Sequence, residues 1–290
     1  MSIGNEPSAP YAATDPDPIR NVNVTGPARV SSVQVYIQDD APDTVDWEVT
    51  DLVIRASLAA PRGVQQCPSA TTERRSPRLR NVHVDATLHM GDSPTVRSSA
   101  FSGLAYGLYL QRVDGADIEL NLNIRGDATA ISGWRAAVAD DCVRPVIDLH
   151  VPNLPSGGGV LLRRCTRAEL RGEIVASADV NAPLVTLESC PDTLIDANLL
   201  GQKSGLGIVA VTAGTATSVI ARRGKWSHAA GAVAGLGFGH SSVSMVAAAD
   251  LIDVDMSEAF QPLPLSFTDI PYDNVAFCRG VTALFPPGLR

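Results

Sequence analysis

The chain has 290 residues, 45% of them apolar, which is enough to bury a core in one large domain or two ordinary ones. Its formal net charge is −8, with Lys203 and Lys225 the only lysines among 23 basic residues, and this argues against general nucleic-acid binding. No apolar run approaches the roughly 20 residues that span a bilayer, and five widely spaced cysteines do not make a disulfide framework.

Residues 1–29 open the chain without regular patterning. They hold five prolines and almost no alternation of apolar and polar residues. Neither the basic nor the apolar region of a secretory signal peptide is present, so we expect synthesis in a cytoplasm without that route of export. We interpret 1–29 as an irregular N-terminal segment that attaches the chain to a partner.

Three alternating stretches follow, at 31–38, 47–58 and 79–90, and they predict short strands that supply the first two or three coils of a solenoid. The polar stretch at 60–80 is too long for a corner between strands, which predicts a loop. Such an arginine-rich loop would either be solvated or grip an anionic partner. The candidate binding residues in it are Arg62, Arg74, Arg75 and Arg78, with Arg80 at its end.

From residue 108 the sequence repeats a strand–corner–strand phrase in steps of 23–29 residues. Copies begin at 108, 137, 160, 185 and 209, and a degenerate copy begins at about 235. Apolar residues recur 10 and 14 positions after most starts, and within each copy the alternation has period two. A small residue stands five positions after each of the first five starts, namely Val113, Cys142, Cys165, Cys190 and Gly214.

This period selects one architecture. Helical repeats are longer and have period 3.6, and no copy shows the leucine-rich pattern. We therefore predict an all-β fold over 30–250, a single right-handed parallel β-helix of about eight or nine coils stacked ~4.8 Å apart. The small residue at offset 5 marks an inward corner, so the three cysteines are predicted to form a buried, reduced ladder. We expect no cofactor and no metal site.

Residues 251–290 differ again, with five prolines and four of the six phenylalanines. The open end of a solenoid must be covered, which favours a C-terminal cap or a segment through which chains associate. The stretches 207–221 and 231–251 are apolar or small at both alternating phases, which leaves an outward strip of small residues. We expect a homotrimer in which 207–290 supplies most of the contact.

Two phrases near the first copies resemble a known enzyme family. RVDGAD at 112–117 and VADDCV at 138–143 resemble the N-T-D-G and D-D-C motifs of polygalacturonases, β-helical enzymes that hydrolyse acidic polysaccharides. Arg112 and Val113 replace the family's N and T, its R-I-K is absent, and its G-H-G is reduced to a sequence around His240. The resemblance implies three candidate catalytic carboxylates on adjacent coils, Asp114, Asp140 and Asp141.

Over 105–250 the chain resembles the pectate-lyase-like β-helix superfamily, and in character the β-helical tail fibres, tailspikes and minor tail proteins of bacteriophages. This fold hosts enzymes and virion parts alike. The missing signal, the irregular ends and an aromatic content of 5% favour a non-catalytic phage component for structure or host recognition. Its expected partners are its own copies in a trimer, other virion proteins and a cell-surface glycan. The alternatives are a glycoside hydrolase or polysaccharide lyase of the same fold, and a surface adhesin.

Overall fold

The computed structural model describes backbone and side chains over 107–124, 135–154, 159–176, 183–201, 208–211 and 219–227. Outside these ranges it describes only the course of the strands named below. Within the described part of the chain no helix is long and apolar enough to cross a membrane. The chain is built from parallel β-strands that lie in three sheets.

Two sheets carry the solenoid, and a third is small. The first sheet has the spatial order β1 (Ser2–Gly4), β4 (Val33–Ile37), β7 (Arg62–Pro68), β10 (Tyr106–Gln111), β12 (Arg135–Asp140), β14 (Gly158–Arg163), β16 (Val185–Glu188), β18 (Val209–Ala213), β21 (Leu236–Phe238), β23 (Leu265–Phe267). The second has the order β3 (Asn23–Thr25), β6 (Val53–Leu58), β9 (Val82–Met90), β11 (Asp117–Gly126), β13 (Val146–Leu154), β15 (Glu169–Ala176), β17 (Thr193–Gln202), β19 (Ala216–Arg222), β22 (Val246–Ile252), β24 (Val275–Arg279), with β20 (Trp226–His228) paired to β17. The third consists of β2 (Ile19–Arg20), β5 (Glu48–Thr50) and β8 (Arg78–Arg80).

The register of the strands confirms the sequence repeat. From β10 to β19 each coil places one strand in the first sheet, turns a corner, and places the next strand in the second sheet, so neighbouring strands in a sheet are two apart in sequence. In the coils before β10 they are three apart, because each coil also gives a strand to the third sheet. The start of each copy pairs with the start of the next, in the order Leu108, Ala137, Val160, Val185 and Val209. The fold is therefore an all-β parallel solenoid. Side chains are described over about three turns of it, and these turns do not support a count of eight or nine coils, which stays a prediction.

The core lies between the two main sheets and is made of stacked aliphatic rows. Ten positions after each start the row is Ile118, Ile147, Leu170 and Ile195, each no more than 1% exposed. Fourteen positions after each start the row is Leu122, Val151, Ile174 and Leu199, buried to the same extent. Burying each such side chain stabilises the folded chain by about 1.5–3 kcal/mol, so each added coil extends a continuous core.

The polar stretch at 60–80 differs from the expected loop, because Arg62–Pro68 forms β7 and Arg78–Arg80 forms β8. β7 pairs in parallel with β4 and β10, and β8 pairs with β5. A strand is held by hydrogen bonds to strands that already lie beside it, so weak local alternation does not exclude it. The ends 1–29 and 251–290 lie outside the described residues apart from their short strands.

The predicted cysteine ladder is present. Cys142, Cys165 and Cys190 are free and fully buried on successive coils. Each thiol faces backbone carbonyls: the Cys165 Sγ lies 3.3 Å from the oxygens of both Ala139 and Arg163. Hydrogen bonds within the ladder, together with burial, raise the pKa of Cys165 and Cys190 well above that of an ordinary thiol. The three residues thus behave as small core side chains.

The raised thiol pKa values predict that the fold weakens in alkaline solution. A group whose pKa is raised on folding gives stability that is complete below its unfolded pKa and is lost as pH rises towards its folded pKa. Cys165 and Cys190 have folded pKa values above the unfolded value of about 8.5. Urea unfolding should therefore show the free energy of unfolding falling above pH ~8.5, by up to about 1.4 kcal/mol per pH unit for each thiol.

The control for this prediction is Cys190→Ala, which removes one of the two thiols. In this variant the free energy of unfolding should fall less steeply above pH ~8.5, by the contribution of that one thiol. The same variant should leave the pH dependence below pH ~8 unchanged, since an ordinary thiol is protonated there. A decline of equal slope in the variant would contradict the assignment to the ladder.

Candidate functional site

The candidate site lies on the corner that joins the two main sheets in every described coil. The backbone enters the left-handed region twice at each corner, four and seven positions after the coil start. Non-glycine residues in this region cost of order 1 kcal/mol each and persist only where the surroundings hold them. The residues at offset 4 are Arg112, Asp141, Arg164 and Ser189, and those at offset 7 are Gly115, Arg144, Arg167 and Asp192, with φ between 52° and 82°.

Hydrogen bonds between coils hold this unusual backbone. The amide of Asp141 donates to the carbonyl of Arg163 at 2.8 Å, and the amide of Arg164 donates to the carbonyl of Glu188 at 2.7 Å. The amide of Arg167 donates in the same way to the carbonyl of Pro191. The corner is therefore a fixed backbone frame, repeated coil after coil, that carries charged side chains on its outer surface.

The three candidate carboxylates lie on this corner, and each is paired with an arginine of a neighbouring coil. Asp114 accepts a hydrogen bond of 2.8 Å from Arg144. The Asp140 side chain, only 11% exposed, accepts one of 2.5 Å from Arg164. Asp141 lies 3.9 Å from the Nε of Arg112. The aspartates stand six, three and four positions after their coil starts, so they occupy three different rows of the corner.

A fourth pair extends the same pattern by one coil. Arg163 stands in register with Asp140 on one side and Glu188 on the other, and its Nε donates to Glu188 at 2.8 Å. Burial by itself would lower the pKa of Arg163. The hydrogen bond to Glu188 and the negative charges of Glu188 and Asp140 outweigh burial, so the pKa of Arg163 is raised. We name these four pairs the corner ladder: Asp114–Arg144, Asp140–Arg164, Asp141–Arg112 and Glu188–Arg163.

The corner ladder couples successive coils electrostatically. Removing one partner of a partly buried pair leaves the other charge uncompensated, so each pair favours the observed register over a slipped one. Hydrolysis of a glycosidic bond requires a different arrangement, in which two carboxyl groups flank the bond and one of them is protonated so that it can act as the general acid. Here Asp114 and Asp140 accept hydrogen bonds from arginines and Asp141 forms an ion pair, in three separate rows, which is an arrangement suited to holding coils together.

Comparison with known proteins finds no matching family model, no matching curated protein and no matching solved structure. The parallel solenoid is therefore established by the strand pairing of this chain itself. Among the described residues no group of three or more histidine, cysteine or acidic side chains could hold a metal ion.

The sequence placed the aspartates on the corner but missed their partners. The signal was the phrase RRCTR at 163–167, which repeats the offsets of DDCVR at 140–144 with the opposite charge. Aligning the copies by charge as well as by apolar residues would have placed Asp140 opposite Arg163 and Asp141 opposite Arg164, one position away from the observed contact between Asp140 and Arg164. The side chains of the candidate binding residues Arg62, Arg74, Arg75 and Arg78 lie outside the described residues, so their role stays a prediction.

Proposed function

We propose that the chain is a non-catalytic component of a bacteriophage particle, a right-handed β-helix of eight or nine coils that serves structure or host recognition. The observation that carries the non-catalytic part is the pairing of Asp114, Asp140 and Asp141 with arginines of neighbouring coils. The virion part rests on the sequence: proline-rich segments at 1–29 and 251–290 suited to attachment and association, and few aromatic residues. Its partners in this proposal are further copies, other virion proteins and a cell-surface glycan.

The described aromatic side chains agree with this proposal. Trp226 is 1% exposed and donates its indole Nε1 to the carbonyl of Ala197 at 3.1 Å, so it packs inside the solenoid. Tyr109 is half-buried beside Val138 and Leu161 on the first sheet. Enzymes that hold sugar chains commonly present open aromatic faces for stacking, and the buried Trp226 is not placed in that way.

Purified protein is expected to release no new reducing ends and no unsaturated ends from polygalacturonate or other acidic glycans. The reason is that the carboxylates that would act as acid and nucleophile are engaged in the corner ladder. The measurement is a reducing-end assay together with ultraviolet absorbance for lyase products, with the Asp141→Asn variant as control. Product formation that disappears in this variant, while its circular dichroism stays native, would establish the polysaccharide-degrading alternative.

The virion part has a separate test. Mass spectrometry of phage particles purified from the bacterium that carries this sequence should detect the chain in fixed proportion to known capsid proteins. Detection in the cell lysate alone, with none in the washed particles, would contradict the virion assignment and leave the non-catalytic solenoid intact.

A further inference from the structure

The chain contains one Asp–Gly step, at Asp114–Gly115, and no Asn–Gly step. An Asp–Gly step in a flexible chain is chemically labile, because glycine has no side chain to hinder the approach of its amide nitrogen to the preceding carboxyl group. In this fold the step lies on the corner of the coil that begins at Leu108, and Gly115 has a φ of +82°. The Asp114 side chain is 36% exposed, so solvent reaches the carboxylate.

The next coil holds the main chain on both sides of Asp114. The amide of Val143 donates to the carbonyl of Val113 at 2.8 Å, and the amide of Gly115 donates to the carbonyl of Val143 at 2.9 Å. Asp114 and Val143 thereby form a parallel bridge. One carboxylate oxygen of Asp114 accepts a hydrogen bond of 2.8 Å from Arg144 of the same neighbouring coil. Both groups that would react with each other are therefore engaged by that coil.

We propose that Asp114–Gly115 is a site of spontaneous modification, where aspartate converts to isoaspartate once the neighbouring coil releases the corner. In the first step the Gly115 nitrogen attacks the carboxyl carbon of the protonated Asp114 side chain. A C–N bond forms, the C–O bond to the hydroxyl group breaks, and the hydroxyl leaves with the amide proton as water. Water then opens the resulting succinimide ring, and opening at the main-chain carbonyl gives isoaspartate. One water is lost and one is taken up, so no oxidant, metal or other reactant is needed.

Pairing of the two coils protects the step through geometry. Ring closure requires a large rotation of the main chain at Asp114, away from the extended conformation of a parallel bridge. That rotation would break the two main-chain hydrogen bonds to Val143. The reaction should therefore proceed only from molecules in which the corner has opened locally, and the free energy of such an opening sets the degree of protection.

The modification would in turn damage the corner. Isoaspartate carries one extra methylene group in the main chain, which lengthens the path between Val113 and the following strand. Val113 is fully buried in the core, and β11 begins at Asp117, three residues after Asp114. A lengthened corner cannot keep both ends in register with the next coil, so a modified coil should stay open. Opening and modification therefore reinforce each other.

The test compares the rate of isoaspartate formation in three samples at neutral pH: the native chain, the chain unfolded in guanidinium chloride, and a synthetic peptide of residues 112–117. Tryptic peptide 113–125 from the chain is analysed by chromatography and electron-transfer fragmentation, which locate isoaspartate. We expect the unfolded chain and the synthetic peptide to react at the same rate, and the native chain at least about tenfold more slowly, because only its open fraction reacts. Asp117 lies in the same tryptic peptide and precedes the β-branched Ile118, so it should react far more slowly and serves as the internal reference.

Arg144→Gln tests the side-chain contact, with Arg167→Gln as the matched control. Arg167 occupies the same row of the corner one coil further on and has the same left-handed backbone. Arg144→Gln releases the carboxylate of Asp114, so the native rate should rise several-fold, whereas Arg167→Gln should leave it unchanged. Circular dichroism and thermal unfolding confirm that both variants are folded and of equal stability.

Slow modification of the native chain, faster modification in Arg144→Gln and full modification on unfolding support the proposal. A native chain that reacts as fast as the synthetic peptide would overturn the protection by the neighbouring coil. An unfolded chain without isoaspartate at Asp114 would overturn the site itself. Equal rates in the two arginine variants would overturn the contribution of the Asp114–Arg144 contact.

Discussion

Replacing Cys165 by arginine is expected to abolish folding, whereas Cys165→Ala should lower the free energy of unfolding by only about 1–2 kcal/mol. Cys165 is fully buried at an inward corner, with Cys142 and Cys190 on the adjacent coils and backbone carbonyls 3.3 Å from its sulfur. A guanidinium cannot lose its proton in this site, and an unpaired buried charge costs several kcal/mol. That cost, added to overpacking, approaches the total stability of a domain, about 5–15 kcal/mol.

Urea unfolding followed by circular dichroism measures this effect, and Thr166→Arg is the matched control. Thr166 is the next residue in the same corner but lies half-exposed, in a row that also contains Asp114, Val143 and Pro191. An arginine there can reach solvent, so this variant should fold. Rapid reaction of Cys142, Cys165 or Cys190 with a maleimide in the native protein, located by peptide mass spectrometry, or a folded Cys165→Arg variant, would contradict the buried ladder.

The solenoid was predictable because its core obeys a simple rule. Inward rows must be apolar or small in every coil, and this requirement shows in the sequence as residues that recur at fixed offsets. Aligning Leu108, Ala137, Val160 and Val185 by eye gives the pairs that the strands form. The cysteines at offset 5 followed from the same rule, since only a small side chain fits that corner.

The corner ladder was not predictable from the same rule, because outward rows carry no requirement for residue type. Asp140 resembled a catalytic residue on its motif, but its nearest partner, Arg164, belongs to the following coil and lies 24 positions later. A sequence motif contains residues that are close along the chain, and it gives no information about residues of other coils that lie beside them in the fold. The left-handed backbone of the corner was hidden as well, since arginine, aspartate and serine occupy it where glycine would have signalled it.

The polar segment at 60–80 illustrates the complementary error. Its weak alternation predicted a loop, yet Arg62–Pro68 pairs with strands on both sides. In a solenoid each coil offers a complete row of backbone donors and acceptors to the next, so a segment can become a strand through its neighbours. The alternation of apolar and polar residues therefore identifies the coils that have strongly apolar inward rows. It does not identify strands that form because adjacent coils supply their hydrogen-bond partners.

Glycine at position 172 is expected to be nearly irreplaceable, with Gly172→Ala lowering the free energy of unfolding by about 2–4 kcal/mol. Its φ is +87°, a conformation that a side chain disfavours. The neighbouring coil adds a second obstacle, because a Cβ on Gly172 would stand 2.1 Å from the carbonyl oxygen of Leu149 and 2.6 Å from the Asp148 carboxylate. Leu149 pairs with Gly172 in the second sheet, so relief would require the two coils to separate locally.

Gly115→Asp is the control that separates the two causes. Gly115 also has positive φ, +82°, but its row on the corner contains Arg144, Arg167 and Asp192, which adopt the same left-handed backbone with side chains in place. Because that row accommodates side chains, Gly115→Asp should change the free energy of unfolding by less than about 1 kcal/mol. Parallel urea titrations of both variants give the comparison. Equal losses would assign the whole effect to backbone conformation, whereas a tolerated alanine at 172 would mean that β13 and β15 are further apart than their pairing indicates.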